Sequence, residues 1–136
     1  MVAHPRDPDH RIDVRPSSRE VRAFVDSEMV AKTHRALCLF ETRHPTRYYI
    51  PPDDVRREFL IPSSRTSVCP YKGTANYWSL RVGDRVIEDA VWAYLDPLPE
   101  RADIKGYFSF YPEKLSRLEV EGEPETQADP GQGIER

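Results

Sequence analysis

The segment from residue 76 to residue 94 constrains the fold more than any other part of the chain. Apolar and polar side chains alternate along residues 76–82, a Gly83-Asp84 pair follows, and residues 85–94 again carry mostly apolar side chains in their second half. A period of two is typical of a strand, and Gly-Asp between two strands is typical of a two-residue hairpin turn with a positive φ at its first residue. The pattern predicts a hairpin with two distinct faces, one formed by Asn76, Trp78, Leu80 and Val82 and the other by Ala75, Tyr77 and Ser79.

Shorter runs of the same kind predict a mainly β fold with two antiparallel sheets. We expect strands at residues 21–25, 29–32, 36–40 and 48–50, and a last pair at 104–111 and 115–120 joined at 112–114. One short helix of about two turns is predicted after Pro52, because proline and the two acidic residues that follow it suit a first helical turn. Pro62 would end that helix.

The two ends of the chain differ in composition from its middle. Residues 1–10 contain two prolines among charged residues, and residues 119–136 carry six acids and one arginine, a sum of −5. Few of these side chains are suited to burial. We therefore expect a disordered N-terminal arm at 1–10, a single β domain at 11–121 and a disordered acidic tail at 122–136.

Charge and hydropathy argue against several classes of partner. The first 118 residues sum to +2, the difference between −3 for the whole chain and −5 for its end, and acids are interleaved with the arginines. A nucleic-acid-binding protein normally shows a dense basic face. No apolar run approaches the roughly 18 residues of a membrane span, and the polar N-terminus is unlike a secretory signal. With only two cysteines, Cys38 and Cys69, we expect a reduced cytoplasmic protein that binds neither nucleic acid nor membrane.

Aromatic residues are concentrated between residues 71 and 108, where both tryptophans and four of the seven tyrosines lie with Lys72. Such density builds either the core of a small β domain or the wall of a cavity for a flat or cationic small molecule. In the second interpretation the aromatic rings supply apolar contact, while Lys72 and Arg43 select a polar or anionic group. The predicted ligand-binding residues are Glu41, Arg43, Tyr71, Lys72, Trp78, Trp92 and Tyr94.

Two other classes of function stay open. Cys69 or Lys72 could be the nucleophile of an enzyme in acyl or imine chemistry, although an inert thiol and a β-turn with a solvated lysine explain the same residues. The chain could instead be a structural or interaction domain, for example a homodimer formed through an exposed sheet edge. No cofactor is expected, and no metal site, because the Cys-x-x-Cys and His-x-x-x-His spacings are both missing.

Several motifs occur in the order found in a known family. They are Glu41-Thr42-Arg43 before Tyr48-Tyr49-Ile50-Pro51, Cys69-Pro70-Tyr71-Lys72-Gly73 before Tyr77-Trp78, then Trp92-Ala93-Tyr94, and Ile104-Lys105-Gly106. On these residues the chain resembles, over roughly residues 20–120, the domain of unknown function 427 family, which is also labelled nucleotidyltransferase-like.

The resemblance implies a tent-like β domain, in which two sheets open over a cavity that holds zinc or a small ligand in some similar proteins. The paired cysteines of the zinc-binding proteins are missing here, and so is the Gly-Ser with a following Asp-x-Asp of a nucleotidyltransferase. Neither property is therefore carried over. What the resemblance supports is a small ligand between the two sheets.

Overall fold

The structure, a computed structural model, describes residues 8–121 and 123–124. Within these residues the chain is mainly β, and the strands are β1 (Ile12–Ser17), β2 (Val21–Val25), β3 (Glu28–Thr33), β4 (Ala36–Glu41), β5 (Arg47–Ile50), β6 (Leu60–Cys69), β7 (Gly73–Val82), β8 (Arg85–Ala93), β9 (Phe108–Phe110), β10 (Arg117–Val120) and β11 (Glu123–Pro124).

The strands form two antiparallel sheets, as the sequence predicts. The larger has seven strands in the order β1-β4-β5-β9-β8-β7-β6, and the smaller has the order β11-β10-β2-β3, with β11 only two residues long. The chain crosses from one sheet to the other after β1, after β3 and after β9. The predicted fold class is confirmed.

The predicted hairpin is formed by β7 and β8. Gly83 has a φ of +59°, and the turn brings Val82 opposite Arg85. Trp78 and Leu80 pack with the core between the sheets, whereas Ala75 and Tyr77 belong to a second apolar cluster. Because neighbouring strand residues point to opposite sides of a sheet, this second cluster lies on the outer face of the seven-stranded sheet.

The main core lies between the two sheets. Apolar side chains of β2 and β3 in the smaller sheet meet the inner face of the larger one, to which Phe40, Leu80, Val91 and Phe110 contribute. Trp78 is part of this packing and lies edge-on to Phe108, with 5.0 Å between ring centroids. Among the described residues, apolar side chains from both sheets form a core at the level where the aromatic-lined cavity was expected.

The short helix predicted after Pro52 is not formed. Two separate 3₁₀ turns, Pro52–Asp54 and Arg57–Phe59, take its place, and Val55 between them bridges to Ala31 of β3. Val55 is buried in the main core, and burial of one apolar side chain outweighs the weak intrinsic helicity of so short a segment. In the described part of the chain, no helix has the length and apolar character needed to cross a bilayer.

The last predicted strand pair is not a hairpin. β9 pairs with β5 and β8 in the larger sheet, while β10 pairs with β2 in the smaller one. The 3₁₀ turn Pro112–Lys114 carries the chain across. The local sequence pattern predicts where a strand lies but not which strand pairs with it, and for that reason the predicted pairing of these two strands is wrong.

The predicted domain boundaries need two corrections. His10, the last residue of the predicted arm, packs into the folded body with 8% of its side chain exposed. At the other end, Glu123–Pro124 pairs with β10 although it lies in the predicted tail. Residues 1–7, 122 and 125–136, on which most of the two disorder predictions falls, lie outside the described residues.

Candidate functional site

An open cavity of about 140 Å³ lies on the outer face of the seven-stranded sheet. Its aromatic wall consists of Tyr49, Tyr77, Trp92, Tyr94 and Tyr111. The strand register brings these rings together, since Tyr77 of β7 pairs directly with Trp92 of β8. We call this hollow the outer cavity. A larger hollow of about 230 Å³ beside β1 has no buried charged side chain in its lining, and for that reason the outer cavity is the candidate site.

Lys72 reaches the outer cavity because the turn between β6 and β7 is fixed on both sides. Its backbone N–H donates to the carbonyl of Cys69 at 3.2 Å, and its own carbonyl accepts from the N–H of Leu98 at 2.9 Å. Gly73 has a φ of +118°, and a Cβ there would meet the backbone of Pro97 and Leu98 at 3.3 Å. The positive φ and the close approach of this backbone explain why a glycine stands at position 73.

The alternative of a solvated lysine is wrong. The Lys72 side chain is only 11% exposed, and its Nζ donates to Oε1 of Glu41 at 2.5 Å. Glu41 ends β4 and is 4% exposed. The ion pair is therefore largely withdrawn from solvent.

Three cationic or hydrogen-bonding side chains surround the Glu41 carboxylate. Besides Lys72, the Nε2 of His10 lies 2.8 Å from Oε2, and the Nδ1 of His44 lies 3.9 Å from the same oxygen. Burial by itself would raise the pKa of Glu41, but the charge and hydrogen bond of Lys72, with the contributions of His44 and His10, outweigh it, so the pKa lies below its ordinary value of 4.5. Glu41 is ionised at neutral pH.

Arg47 is the second charged group of the outer cavity. Its guanidinium carbon lies 5.3 Å from the ring centroid of Trp92 and 5.4 Å from that of Tyr111, within the range of cation–π contact. Its Nη1 is buried and has no hydrogen-bond partner among the described residues. A cation of the chain itself thus occupies the space between the aromatic rings, and one of its donor groups lacks an acceptor.

The tyrosine hydroxyls of the outer cavity are neutral hydrogen-bonding groups. Tyr49 accepts a hydrogen bond from Nε1 of Trp92 at 3.1 Å. Burial is the main cause that raises the pKa of Tyr49 and of Tyr94 well above the ordinary range. Burial, and then a hydrogen bond with Tyr77, raises the pKa of Tyr111 to about 12. All three phenols keep their proton at neutral pH and are able to donate it in a hydrogen bond.

The structure brings together four of the seven residues predicted to bind a ligand, namely Glu41, Lys72, Trp92 and Tyr94. Trp78 lies on the opposite face of the sheet, in the main core. Tyr71 stacks on His10, with centroids 4.0 Å apart, in a neighbouring hollow. Arg43 is exposed in the turn after β4, with a φ of +63°, and does not line the outer cavity.

Sequence reasoning missed five residues that line the outer cavity, His44, Arg47, Tyr49, Tyr77 and Tyr111, and it placed His10 in the disordered arm. A usable signal existed for Arg47 and Tyr49. Tyr49 lies in the predicted strand at 48–50 and Arg47 directly precedes that strand, so the two share a face by simple alternation. Tyr111 was expected in a strand at 104–111 but lies just past the end of β9, and His10 precedes β1, so strand alternation places neither side chain.

The described residues offer little to the alternative chemistries. They contain no group of three His, Cys, Asp or Glu side chains that could hold a metal ion. A Lys72 ammonium that donates to Glu41 has no lone pair with which to attack a carbonyl. The free thiol of Cys69 ends the edge strand β6 and makes no hydrogen bond or ion pair within the described part of the chain.

Comparison with known proteins identifies a family for this chain. A comparison with curated proteins finds no match. The family described as "Domain of unknown function (DUF427)" matches residues 13–121, which run from β1 past the end of β10 and include every residue that lines the outer cavity. The match covers most of the chain, and the chain belongs to the DUF427 family.

Proposed function

We propose that the protein binds a small organic anion in the outer cavity, with the anionic group of the ligand against Arg47. The observation that supports this most directly is the buried Nη1 of Arg47, which has no acceptor among the described residues. A buried donor without a partner costs about 1–3 kcal/mol, and more when it is charged. A carboxylate or phosphate oxygen would remove this cost through a short, charge-assisted hydrogen bond.

The aromatic rings favour an anion over a cation for a simple reason. A cage of tyrosine and tryptophan faces would suit a cationic ligand if it were empty. Here the Arg47 guanidinium already lies against Trp92 and Tyr111, and it would repel a second cation. Neutral phenols at Tyr49 and Tyr94 add donors that suit an oxyanion.

The size of the outer cavity limits the ligand. Its volume of about 140 Å³ is below the ~300 Å³ at which pockets for drug-sized molecules begin. At ~30 Å³ for each water molecule, it holds roughly four or five groups of that size. The proposed ligand is thus a small carboxylate, or the anionic end of a larger molecule that extends into solvent.

The structure adds no support for the other functions that the sequence suggests. The Lys72 nucleophile loses support from the ion pair with Glu41. A homodimer through a sheet edge and a cytoplasmic location stay predictions.

The test is a thermal-shift series with sodium acetate, pyruvate and benzoate at neutral pH, against sodium chloride at equal ionic strength. Arg47→Gln removes the proposed anchor. Arg43→Gln is the matched control, because it removes an exposed arginine that lies in the turn before β5 and does not line the outer cavity. We expect at least one carboxylate to raise the melting temperature of the wild type and of the Arg43→Gln protein, but not of the Arg47→Gln protein.

Two results would overturn the proposal. One is a wild type that responds to none of the three carboxylates, and the other is an Arg47→Gln protein that responds as the wild type does. Circular dichroism establishes that each variant is folded. If Arg47→Gln does not fold, Arg47→Lys keeps the charge but loses the planar fork of donors, and its ligand response should be weaker than that of the wild type.

A further inference from the structure

We infer that the ligand carries a single negative charge, and that Glu41 sets this preference over doubly charged anions. The inference rests on the proposed function, because it concerns the ligand of the same cavity.

The charges in and next to the outer cavity sum to one positive unit when His10 and His44 are neutral. Arg47 and Lys72 each contribute a positive charge and Glu41 a negative one. Lys72 is already balanced by Glu41 through their direct contact. Arg47 forms no ion pair within the described residues, so one positive charge is left for a ligand to neutralise.

Glu41 is close enough to Arg47 for its charge to act on a ligand bound there. Leu39 of β4 pairs directly with Arg47 of β5, and Glu41 lies two residues further along the same face. Diagonal neighbours of this kind are roughly 7–8 Å apart. Both charges act on the hydroxyl of Tyr49. Burial is the largest cause that raises the pKa of Tyr49, the charge of Glu41 raises this pKa further, and the charge of Arg47 lowers it.

A doubly charged anion is disfavoured at such a site. A charged group that leaves water needs an opposite charge to offset its desolvation. The charge of a monoanion is offset by Arg47. The second charge of a dianion has no free cation beside it among the described residues, because Lys72 is paired with Glu41, and the negative charge of Glu41 repels it. Removing the Glu41 charge should therefore change the charge preference of the site and not merely its affinity.

The experiment compares pyruvate and oxalate, which have the same number of non-hydrogen atoms but carry one and two charges at neutral pH. Dissociation constants are measured by isothermal titration calorimetry at fixed ionic strength. We expect the wild type to bind pyruvate about tenfold more tightly than oxalate, and Glu41→Gln to shift the ratio toward oxalate by about tenfold or more.

Two further variants separate charge from the loss of a particular side chain. Glu41→Gln combined with Lys72→Met returns the sum of charges to the wild-type value and should restore the preference for pyruvate. His44→Lys adds a positive charge at a lining side chain that is 56% exposed, and it leaves the buried ion pair in place. It should shift the ratio toward oxalate even if Glu41→Gln does not fold.

The outcomes distinguish the two proposals. If the wild type binds neither probe and responds to none of the three carboxylates of the thermal-shift series, the proposed function fails. If it binds pyruvate, but the ratio of the two dissociation constants is the same in the wild type, Glu41→Gln and His44→Lys, the proposed function stands and the inference about ligand charge is overturned.

Discussion

At Glu41, side chains from distant parts of the sequence meet one carboxylate. His10 and Lys72 lie 31 residues before and after it, and both contact its oxygens. Each group offsets the cost of burying the others. Replacing Lys72 alone should therefore lower the free energy of unfolding more than replacing both Lys72 and Glu41 by uncharged side chains.

We predict that Lys72→Met lowers the free energy of unfolding by about 3 kcal/mol, because it leaves a buried carboxylate without its main counter-charge. The double variant Glu41→Gln, Lys72→Met should recover a large part of this loss. Urea denaturation at neutral pH compares four proteins: the wild type, Lys72→Met, Glu41→Gln and the double variant. Additive effects of the two substitutions would contradict a coupled pair.

The same pair predicts a pH dependence with a definite sign. The pKa of Glu41 is lower in the folded protein than its ordinary value of 4.5, so the ionised group stabilises the fold at pH values above that value. This contribution is lost as the pH falls through the folded-state pKa. We expect the urea midpoint of Glu41→Gln to fall less on acidification than that of the wild type, while the exposed control Glu88→Gln should follow the wild type.

At the scale of elements, the β7–β8 hairpin was predicted from the sequence. The same pattern also contains information on the relative positions of Trp78 and Trp92 that the prediction did not use. The turn, the strands and the division of β7 into two faces were predicted and are confirmed. A two-residue turn pairs even-numbered residues of β7 with odd-numbered residues of β8. Trp78 and Trp92 must therefore face opposite sides, and the bulge after Trp78 does not change this parity.

The turn before β7 is the element that delivers Lys72, and Gly73 makes it possible. We predict that Gly73→Ala lowers the free energy of unfolding by about 1–3 kcal/mol, because an alanine there is strained at a φ of +118° and its Cβ would crowd the backbone of Pro97 and Leu98.

Gly106→Ala is the matched control for that prediction. Gly106 also has a positive φ, of +77°, but nothing lies within 4 Å of the position of a Cβ. Its substitution should cost less than Gly73→Ala in thermal or urea denaturation. Equal losses would show that the contact with residues 97 and 98 contributes nothing.

At the scale of the whole molecule, the sequence predicted two antiparallel sheets but not how all the strands are distributed between them. β1 and β6 were not predicted, since β1 contains Pro16 and β6 is a largely exposed edge strand rich in serine. The partners of β9 and β10 were wrong for a related reason. A strand's neighbour is chosen by contacts between residues far apart in sequence, which periodicity does not record.

The arrangement predicts that the main core and the outer cavity unfold together. Trp78 reports on the core between the sheets and Trp92 on the outer face, and both belong to the same hairpin. Tryptophan fluorescence of Trp92→Phe and of Trp78→Phe, each normalised for its own stability by far-UV circular dichroism, should follow that protein's loss of β structure. A Trp92 signal that changes well before the β structure is lost would show that the outer face opens separately.

The seven-stranded sheet acts as a partition. Tyr48 belongs to the packing between the sheets, and its neighbour Tyr49 belongs to the outer cavity. Neighbouring residues of one strand are thus under different constraints. Those on one face maintain the fold, and those on the other face determine the chemistry of the cavity. The outward-facing residues of β5 and β8 could therefore be substituted to change which ligand binds, while the inward-facing residues between them preserve the fold.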